Sequence, residues 1–347
     1  MEALAVGVGG PGGRDAGESE VLRRTARECP REAETERPVV VGAEGLSYDY
    51  EDGTPALRDI SLSIRRGERV AILGPNGAGK STLLHILAGL KPFGSGTVRL
   101  FDEALTRKNE RALRARMGLL FQDPDDQIFM PRVWDDVAFG PINRGLGAKA
   151  VARRVRRALE GAGLAGYDDR VPHHLSYGEK KRVAFAGVLA MRPEILLLDE
   201  PTANLDPRNR RDLLAMVDRL NRRGTTVVTA THDMGAVAEL ADRVYVLNRT
   251  LVRECPVREV FMDSRLLEEN NLDIPEITKL FRLLRNFGYD PKKLPLSVDQ
   301  AIAELTRTMD DGGGHVHLHL HRHAHGQQEA PDGKPVAGKN HGHEHPV

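Results

Sequence analysis

Gly74-Pro75-Asn76-Gly77-Ala78-Gly79-Lys80-Ser81-Thr82 sets a lysine and two hydroxyls behind glycines spaced Gly-x-x-x-x-Gly-Lys-Ser. That spacing lets backbone N–H groups curl around phosphates at a helix N-terminus. Lys80 can then reach β- and γ-phosphates, while Ser81 can offer its hydroxyl to Mg²⁺. A glycine-rich strand-to-helix turn without a ligand is the plainer alternative. An acid pair, Asp199-Glu200, closes the apolar run Ile195-Leu196-Leu197-Leu198, the end of a buried strand where an open α/β sheet presents ligand-contacting groups. Asp199 is suited to hold Mg²⁺ through water. Glu200 is suited to polarise the water that attacks a γ-phosphate, because phosphoryl transfer needs positioning and charge stabilisation more than covalent chemistry. Alone, the pair could equally cap the next helix. His232, in Thr231-His232-Asp233, follows a further apolar run and is the candidate partner of Glu200, against the alternative of a helix-start residue without chemistry.

Such residues need a scaffold that delivers strand ends to one place. The run 69–73 precedes the glycine loop and Leu83-Leu84-His85-Ile86-Leu87 follows it, so the loop joins a strand to a helix. Strand patterns recur at 39–41, 56–64, 97–101 and 118–121, with Tyr50-Glu51-Asp52-Gly53 as a turn. After Gln122 the character changes: 151–159 and 179–191 read as helices around a loop-rich stretch, which predicts a helical insert. Apolar runs at 195–198 and 225–229 return the chain to a sheet, with a helix between them opened by Pro207. A strand over 243–247 ends the core. Strands alternating with helices imply an α/β fold with a doubly wound, mostly parallel sheet. Beyond it, Ile277, Leu280, Phe281, Leu284 and Phe287 recur at helical spacing, and Ser297-Val298-Asp299-Gln300 has the form of a capping box.

Four regions follow: a disordered N-terminal extension over 1–37, an α/β ATPase domain over 38–255, a small helical appendage over 256–310, and a disordered histidine-rich tail over 311–347. The 347 residues carry 50 Lys and Arg against 50 Asp and Glu, so no net basic field marks nucleic acid as a partner. Two cysteines, Cys29 and Cys255, lie in unlike contexts and form neither a disulfide framework nor a thiolate metal site, which fits a reducing compartment. No apolar run approaches the roughly 20 residues that span a bilayer, and no signal-peptide core opens the chain. Work at a membrane would therefore require another chain.

From about residue 38 to 255 the chain resembles the nucleotide-binding domain of ABC transporters. Gln122 after a strand resembles the Q-loop glutamine, Leu175-Ser176-Tyr177-Gly178-Glu179 the LSGGQ signature, Asn204-Leu205-Asp206 the D-loop, His232 the switch histidine, and Tyr50 the aromatic that stacks on adenine. The resemblance implies a P-loop NTPase fold with a RecA-like parallel core, an antiparallel β subdomain and a helical signature subdomain. It also implies ATP and Mg²⁺ as cofactors, Gln122 beside Mg²⁺ and against the membrane partner, and His232 on the γ-phosphate. Two copies would close with the signature of one, including Ser176, Gly178 and Glu179, over the phosphate loop of the other. Ser176 can act as an N-cap at the same time. Tyr177 stands where the family has glycine and Glu179 where glutamine is common. The contacts needed are a hydroxyl and a backbone N–H, so these changes are expected to leave closure intact unless Tyr177 must adopt φ > 0.

Phe121-Gln122-Asp123-Pro124-Asp125-Asp126-Gln127-Ile128-Phe129, Lys180-Lys181-Arg182-Val183-Ala184 and the C-terminal helices resemble the ATPases of energy-coupling-factor importers, the cobalt and nickel group in particular. The implied partners are a second ATPase subunit, as a homodimer, a membrane-spanning coupling subunit that docks on the acidic loop, and a metal-specific membrane subunit. The implied location is peripheral, on the cytoplasmic face of the membrane. His315, His317, His319, His321, His323 and His325 alternate at every second residue, and His341, His343 and His345 repeat the pattern. Imidazoles at this spacing suit Ni²⁺ or Co²⁺, but also copper and zinc, so the tail does not name a cargo. Three other readings stay open: a vitamin or other importer whose tail stores metal, a soluble metal chaperone with a regulatory ATPase, and an ABC protein of translation or repair. A single phosphate loop, the neutral charge and the lack of a zinc-finger or coiled-coil insertion weaken the last.

Overall fold

The computed structural model describes residues 37–285 and 295–311; the N-terminal extension, Phe287 and the histidine-rich tail lie outside them. The chain opens with strands β1 (Val39–Asp49), β2 (Pro55–Arg65) and β3 (Arg69–Leu73), then helix α1 (Lys80–Leu87). Strands β4 (Ser95–Leu100) and β5 (Glu103–Ala104), helix α2 (Glu110–Arg114) and strand β6 (Met117–Leu120) follow. Three helices form the insert: α3 (Val133–Asn143), α4 (Ala148–Gly161) and α5 (Tyr177–Met191). Strand β7 (Ile195–Asp199), helix α6 (Pro207–Arg222), strand β8 (Thr226–Thr231), helix α7 (Met234–Leu240) and strands β9 (Arg243–Asn248) and β10 (Thr250–Pro256) complete the core. Helices α8 (Val257–Met262), α9 (Ser264–Glu269), α10 (Glu276–Arg285) and α11 (Val298–Asp311) end the described chain.

Two sheets result, one ordered β2-β1-β4-β5 and antiparallel, the other ordered β10-β9-β3-β8-β7-β6. In the second, β9, β3, β8, β7 and β6 run parallel and β10 is added antiparallel at the edge. Helices cover both faces, so β7 and β8 are buried at every position, and uninterrupted apolar sequence is what such strands require. The order places β3, β7 and β8 side by side. Their C-terminal ends therefore bring Leu73, Asp199 and Thr231 to one edge, where ligands bind in open α/β sheets.

Several boundaries differ from the sequence expectation for physical reasons. The strand expected over 97–101 stops at Leu100 because Phe101 and Asp102 turn with φ of 52° and 70°. Helix α3 was not foreseen, since Gly140 and Pro141 discourage helix. Pro141 falls in its last turn, and at Gly140 an added Cβ would lie 2.4 Å from Met191 Sδ. The glycine thus allows α3 to approach the end of α5 closely. The sheet continues past 243–247 because β10 pairs with β9 and runs to Pro256. Val257, Val260, Phe261, Leu267 and Leu296 pack with Leu73, Val244 and Val246 in one apolar cluster. Among the described residues of the C-terminal region, Phe281, Ala301 and their neighbours form a separate small core. The capping box at 297–300 is half realised: Ser297 Oγ accepts from Gln300 N, but Gln300 Oε1 accepts from Leu296 N rather than Ser297 N.

Candidate functional site

Gly74 and Gly79 are required by what touches them. A Cβ on Gly74 would fall 2.2 Å from the Leu247 carbonyl, and one on Gly79 2.6 Å from that of Ala56, with Gly79 itself at φ 94°. The loop is therefore clamped from both sides. Helix α1 starts at Lys80 without a side-chain cap, leaving first-turn N–H groups for an anion. Lys80 is only 6% exposed. Its Nζ donates to the carbonyls of Gly74 at 2.8 Å and Pro75 at 3.0 Å and lies 3.6 Å from Glu200 Oε1. Burial lowers its ammonium pKa, against the opposing pull of Glu200 and Asp199. Tyr50, after β1, shares a 2.6 Å hydrogen bond between its hydroxyl and Thr82 Oγ1, so the ring is fastened beside the first turn of α1.

Asp199 and Glu200 are 3% and 5% exposed. Burial pushes the Asp199 carboxyl up, and the nearby Ser81 hydroxyl opposes this. Its Oδ1 is buried without a partner, a costly state that a cation would relieve. Glu200 sits at φ 40°, a left-handed conformation unusual for a glutamate and typical of functional sites. Thr231 Oγ1 donates to its Oε2 at 2.8 Å, while Oε1 accepts from His232 N at 3.1 Å and faces His232 Nδ1 at 2.8 Å. A carboxylate only accepts, so Nδ1 carries the proton. These three bonds leave one lone pair, on Oε2, free to take a proton from water.

The signature residues lie apart from this cluster; among the described residues no hydrogen bond or ion pair joins Ser176, Gly178 or Glu179 to the glycine loop. Ser176 caps α5: its Oγ accepts from Glu179 N, and Glu179 Oε2 accepts from Ser176 N at 2.8 Å. Tyr167 donates to the other Glu179 oxygen at 2.8 Å. The Glu179 carboxylate is thus committed to holding the turn that presents Ser176. Gly178 lets the Asn209 side chain come close, as a Cβ there would lie 2.4 Å from its amide and that side chain would have to move. Tyr177 is the first residue of α5 and is absent from the positive-φ positions, so its side chain costs the backbone nothing.

Gln122 is exposed, and its backbone carbonyl rather than its amide ties it to the fold. Lys181 Nζ donates to this carbonyl at 2.5 Å and to that of Phe121 at 3.0 Å, and the Tyr177 hydroxyl donates to it at 3.2 Å. Lys181 is 1% exposed, and burial pushes its ammonium down to about 8. Sequence reasoning missed Lys181 and Thr231. A signal existed for the first, since Lys181 is four residues after Tyr177 and three after Gly178 and shares their helix face. In the acidic loop, Asp123 caps a short turn through Asp125 N, and Asp125 pairs with Lys180 at 2.8 Å.

Hydrogen bonds from Ser176 and Tyr167 hold the Glu179 carboxyl below its ordinary range. Its stabilising contribution is therefore present above the unfolded-state value near 4.3 and is lost as pH falls through the folded one. Urea midpoints of the native chain are expected to fall more steeply from pH 5 to 3 than those of Glu179→Gln, which can keep the capping box without a proton to gain. Parallel acid losses in the two proteins would contradict this.

A family profile described as ABC transporter matches residues 57–203. The energy-coupling factor transporter ATP-binding protein EcfA of Methanothermobacter thermautotrophicus is 46% identical over 264 residues, spanning 75% of this chain and 84% of that protein. EcfA1 of Methanospirillum hungatei is 49% identical over 252 residues, spanning 72% and 91%. Among solved structures, cbiO1 of Clostridium perfringens, described as part of the ABC transporter complex cbiONQ, is 39% identical with a TM-score of 0.61, over 70% of this chain and 99% of that one. The dimeric ATP-binding cassette MJ0796, in a post-hydrolysis state bound to ADP and Pi, is 30% identical with a TM-score of 0.58, over 62% and 98%. With its glycine loop, acid pair and histidine gathered at one sheet edge, the chain belongs to the ABC transporter ATP-binding proteins of the energy-coupling factor type and is an ABC-type ATPase coupled to transport.

Proposed function

We propose that the chain powers import of a transition-metal ion, cobalt or nickel, by hydrolysing ATP at two composite sites in a homodimer held against membrane-spanning subunits. The observation that carries the catalytic part is the convergence of Lys80, Ser81, Asp199, Glu200 and His232 on one edge of the parallel sheet. Residues 74–82 cradle the phosphates, Lys80 exchanges its loop carbonyls for phosphate oxygens, and Tyr50 stacks on adenine. The partnerless Asp199 Oδ1 beside the Ser81 hydroxyl fits Mg²⁺, with Gln122 completing the set; bound there, the ion supplies charge neutralisation to the phosphates. Glu200 takes a proton from the attacking water on Oε2, oriented by Thr231 and His232. Ser176, Gly178 and Glu179 of a second copy close the site.

The docking face for the membrane subunits is assigned to the acidic loop and the neighbouring start of the helical insert. Phe129 and Phe139, packed edge to face at 4.9 Å, are 60% and 40% exposed, and Ile142 is 57% exposed. Such exposed apolar residues mark contact surfaces. On this reading residues 38–255 form the catalytic unit, residues 256–310 extend it, and the chain sits peripherally on the cytoplasmic face. Among the described residues no helix is long and apolar enough to cross a membrane.

The cobalt or nickel assignment rests on the resemblance of residues 121–129 and 180–184 to the importers of those ions, and the alternating histidines from His315 to His325 suit a transition metal without naming it. Uptake of radiolabelled nickel and cobalt by vesicles holding the whole complex is expected to be ATP-dependent and to vanish with Glu200→Gln. Deleting 312–347, which leaves α11 whole, is expected to reduce uptake at submicromolar metal. Unaltered uptake would make the tail a metal store, and no uptake of either ion by the intact complex would favour another importer cargo. Undiminished ATP turnover without any membrane subunit, together with metal handover in solution, would favour the chaperone reading.

A further inference from the structure

We infer that Tyr177, together with Lys181, is a positioning latch that fastens the signature helix to the loop carrying Gln122, so that the two move as one body. The inference rests on the composite-site reading above for its catalytic consequence, and on geometry alone for the latch.

One backbone atom is the focus. The Gln122 carbonyl accepts from both Lys181 Nζ and the Tyr177 hydroxyl, and Lys181 also holds the carbonyl of Phe121. Lys180 adds an outer tie to Asp125, three residues beyond Gln122. Two segments distant in sequence, around 122 and 177, thus meet at a single backbone carbonyl. A charge-assisted bond from a buried ammonium is about twice as strong as a neutral one, and Lys181, 1% exposed, reaches the carbonyls from the core side.

The arrangement leaves the Gln122 side chain exposed while its backbone is fixed to α5. The direction in which that side chain points is therefore set by the helix whose first turn presents Ser176 and Gly178. Any rotation of α5 that presents these residues to a second copy also carries Gln122 relative to its own glycine loop. A glycine at 177 has no hydroxyl to offer, so the tyrosine adds to this chain a joint that the family's signature pattern lacks.

Two measurements on the full-length protein test the latch. Hydrogen exchange of the amides over 121–128, read by mass spectrometry on the dilute, nucleotide-free chain, requires no dimer. Tyr177→Phe, which keeps the ring, is expected to speed exchange there by roughly two- to tenfold, the loss of one net hydrogen bond, with the C-terminal half of α5 unchanged. Lys181→Met is expected to act in the same sense and more strongly. Unchanged exchange over 121–128 in Tyr177→Phe overturns the latch, whatever becomes of the composite site. The second measurement is steady-state ATP turnover by the assembled transporter. Tyr177→Phe is expected to lower kcat several-fold with ATP affinity unchanged, and Tyr177→Gly at least as much. Faster exchange with native kcat would make the joint purely structural and overturn its positioning role. A nucleotide-independent monomer with altered exchange would instead remove the composite-site reading and leave the latch standing.

Discussion

Glu200→Gln is expected to bind ATP with near-native affinity yet turn it over about 10²–10⁴-fold more slowly, the range that a positioned general base contributes. The substitution is close to isosteric, and the surroundings tolerate it. The retained carbonyl oxygen can accept from His232 N and Nδ1, and the new amide can donate to Thr231 Oγ1, which already accepts from Asp233 N and has a second lone pair, in exchange for the bond it donated. The left-handed backbone at this position is equally accessible to glutamine. What is lost is the one acceptor able to take a proton. Single-turnover hydrolysis beside nucleotide binding separates these effects, because binding does not require the proton transfer. Native turnover in the variant would remove Glu200 from the chemistry and leave His232 without its partner. An ATP-loaded species that outlives the native one, seen as a dimer by size exclusion, is the corollary of closure without hydrolysis.

Lys80→Met should produce the second large effect, on binding instead of turnover. Replacing the ammonium by a thioether of similar length keeps the packing of α1, whose core contacts come from Leu83, Leu84, Ile86 and Leu87. It removes the cation that faces Glu200 and the two loop carbonyls. Hydrogen bonds to charged groups contribute about 1.5–3 kcal/mol each, so ATP affinity is expected to fall by roughly one to two orders of magnitude. Titration with a fluorescent nucleotide reads this directly. A melting temperature within a few degrees of native, measured beside it, shows that the loop and not the fold was altered. Undiminished affinity would mean that the buried ammonium serves only to tie the loop carbonyls together.

Much of this was legible because it is local. The spacing from Gly74 to Thr82, the acids closing 195–200 and Pro207 opening a helix are all statements about neighbours in sequence, and backbone geometry converts them directly into a loop, a strand end and a cap. Illegible were the elements whose formation is paid for elsewhere. Helix α3 carries Gly140 and Pro141 against its own propensity and is held by packing on α5. Strand β10 has an exposed, unremarkable pattern and exists because β9 offers an edge. The C-terminal helices read as an appendage because their apolar spacing says that they are amphipathic, but not what covers them.

By itself the sequence therefore determined the parts: a glycine loop of phosphate-binding spacing, an acid pair at a strand end, a signature helix start, and the alternation that builds a parallel sheet. The tertiary structure decided which parts touch. Strand order brought Thr231 and His232 onto Glu200, and helix packing buried Lys181 beneath the Gln122 carbonyl and set the Tyr177 hydroxyl against it. Local spacing reports the period of a helix or strand. It carries no record of which strand lies beside which, and that adjacency, fixed by burial of apolar faces from distant segments, is what turns separate motifs into one site.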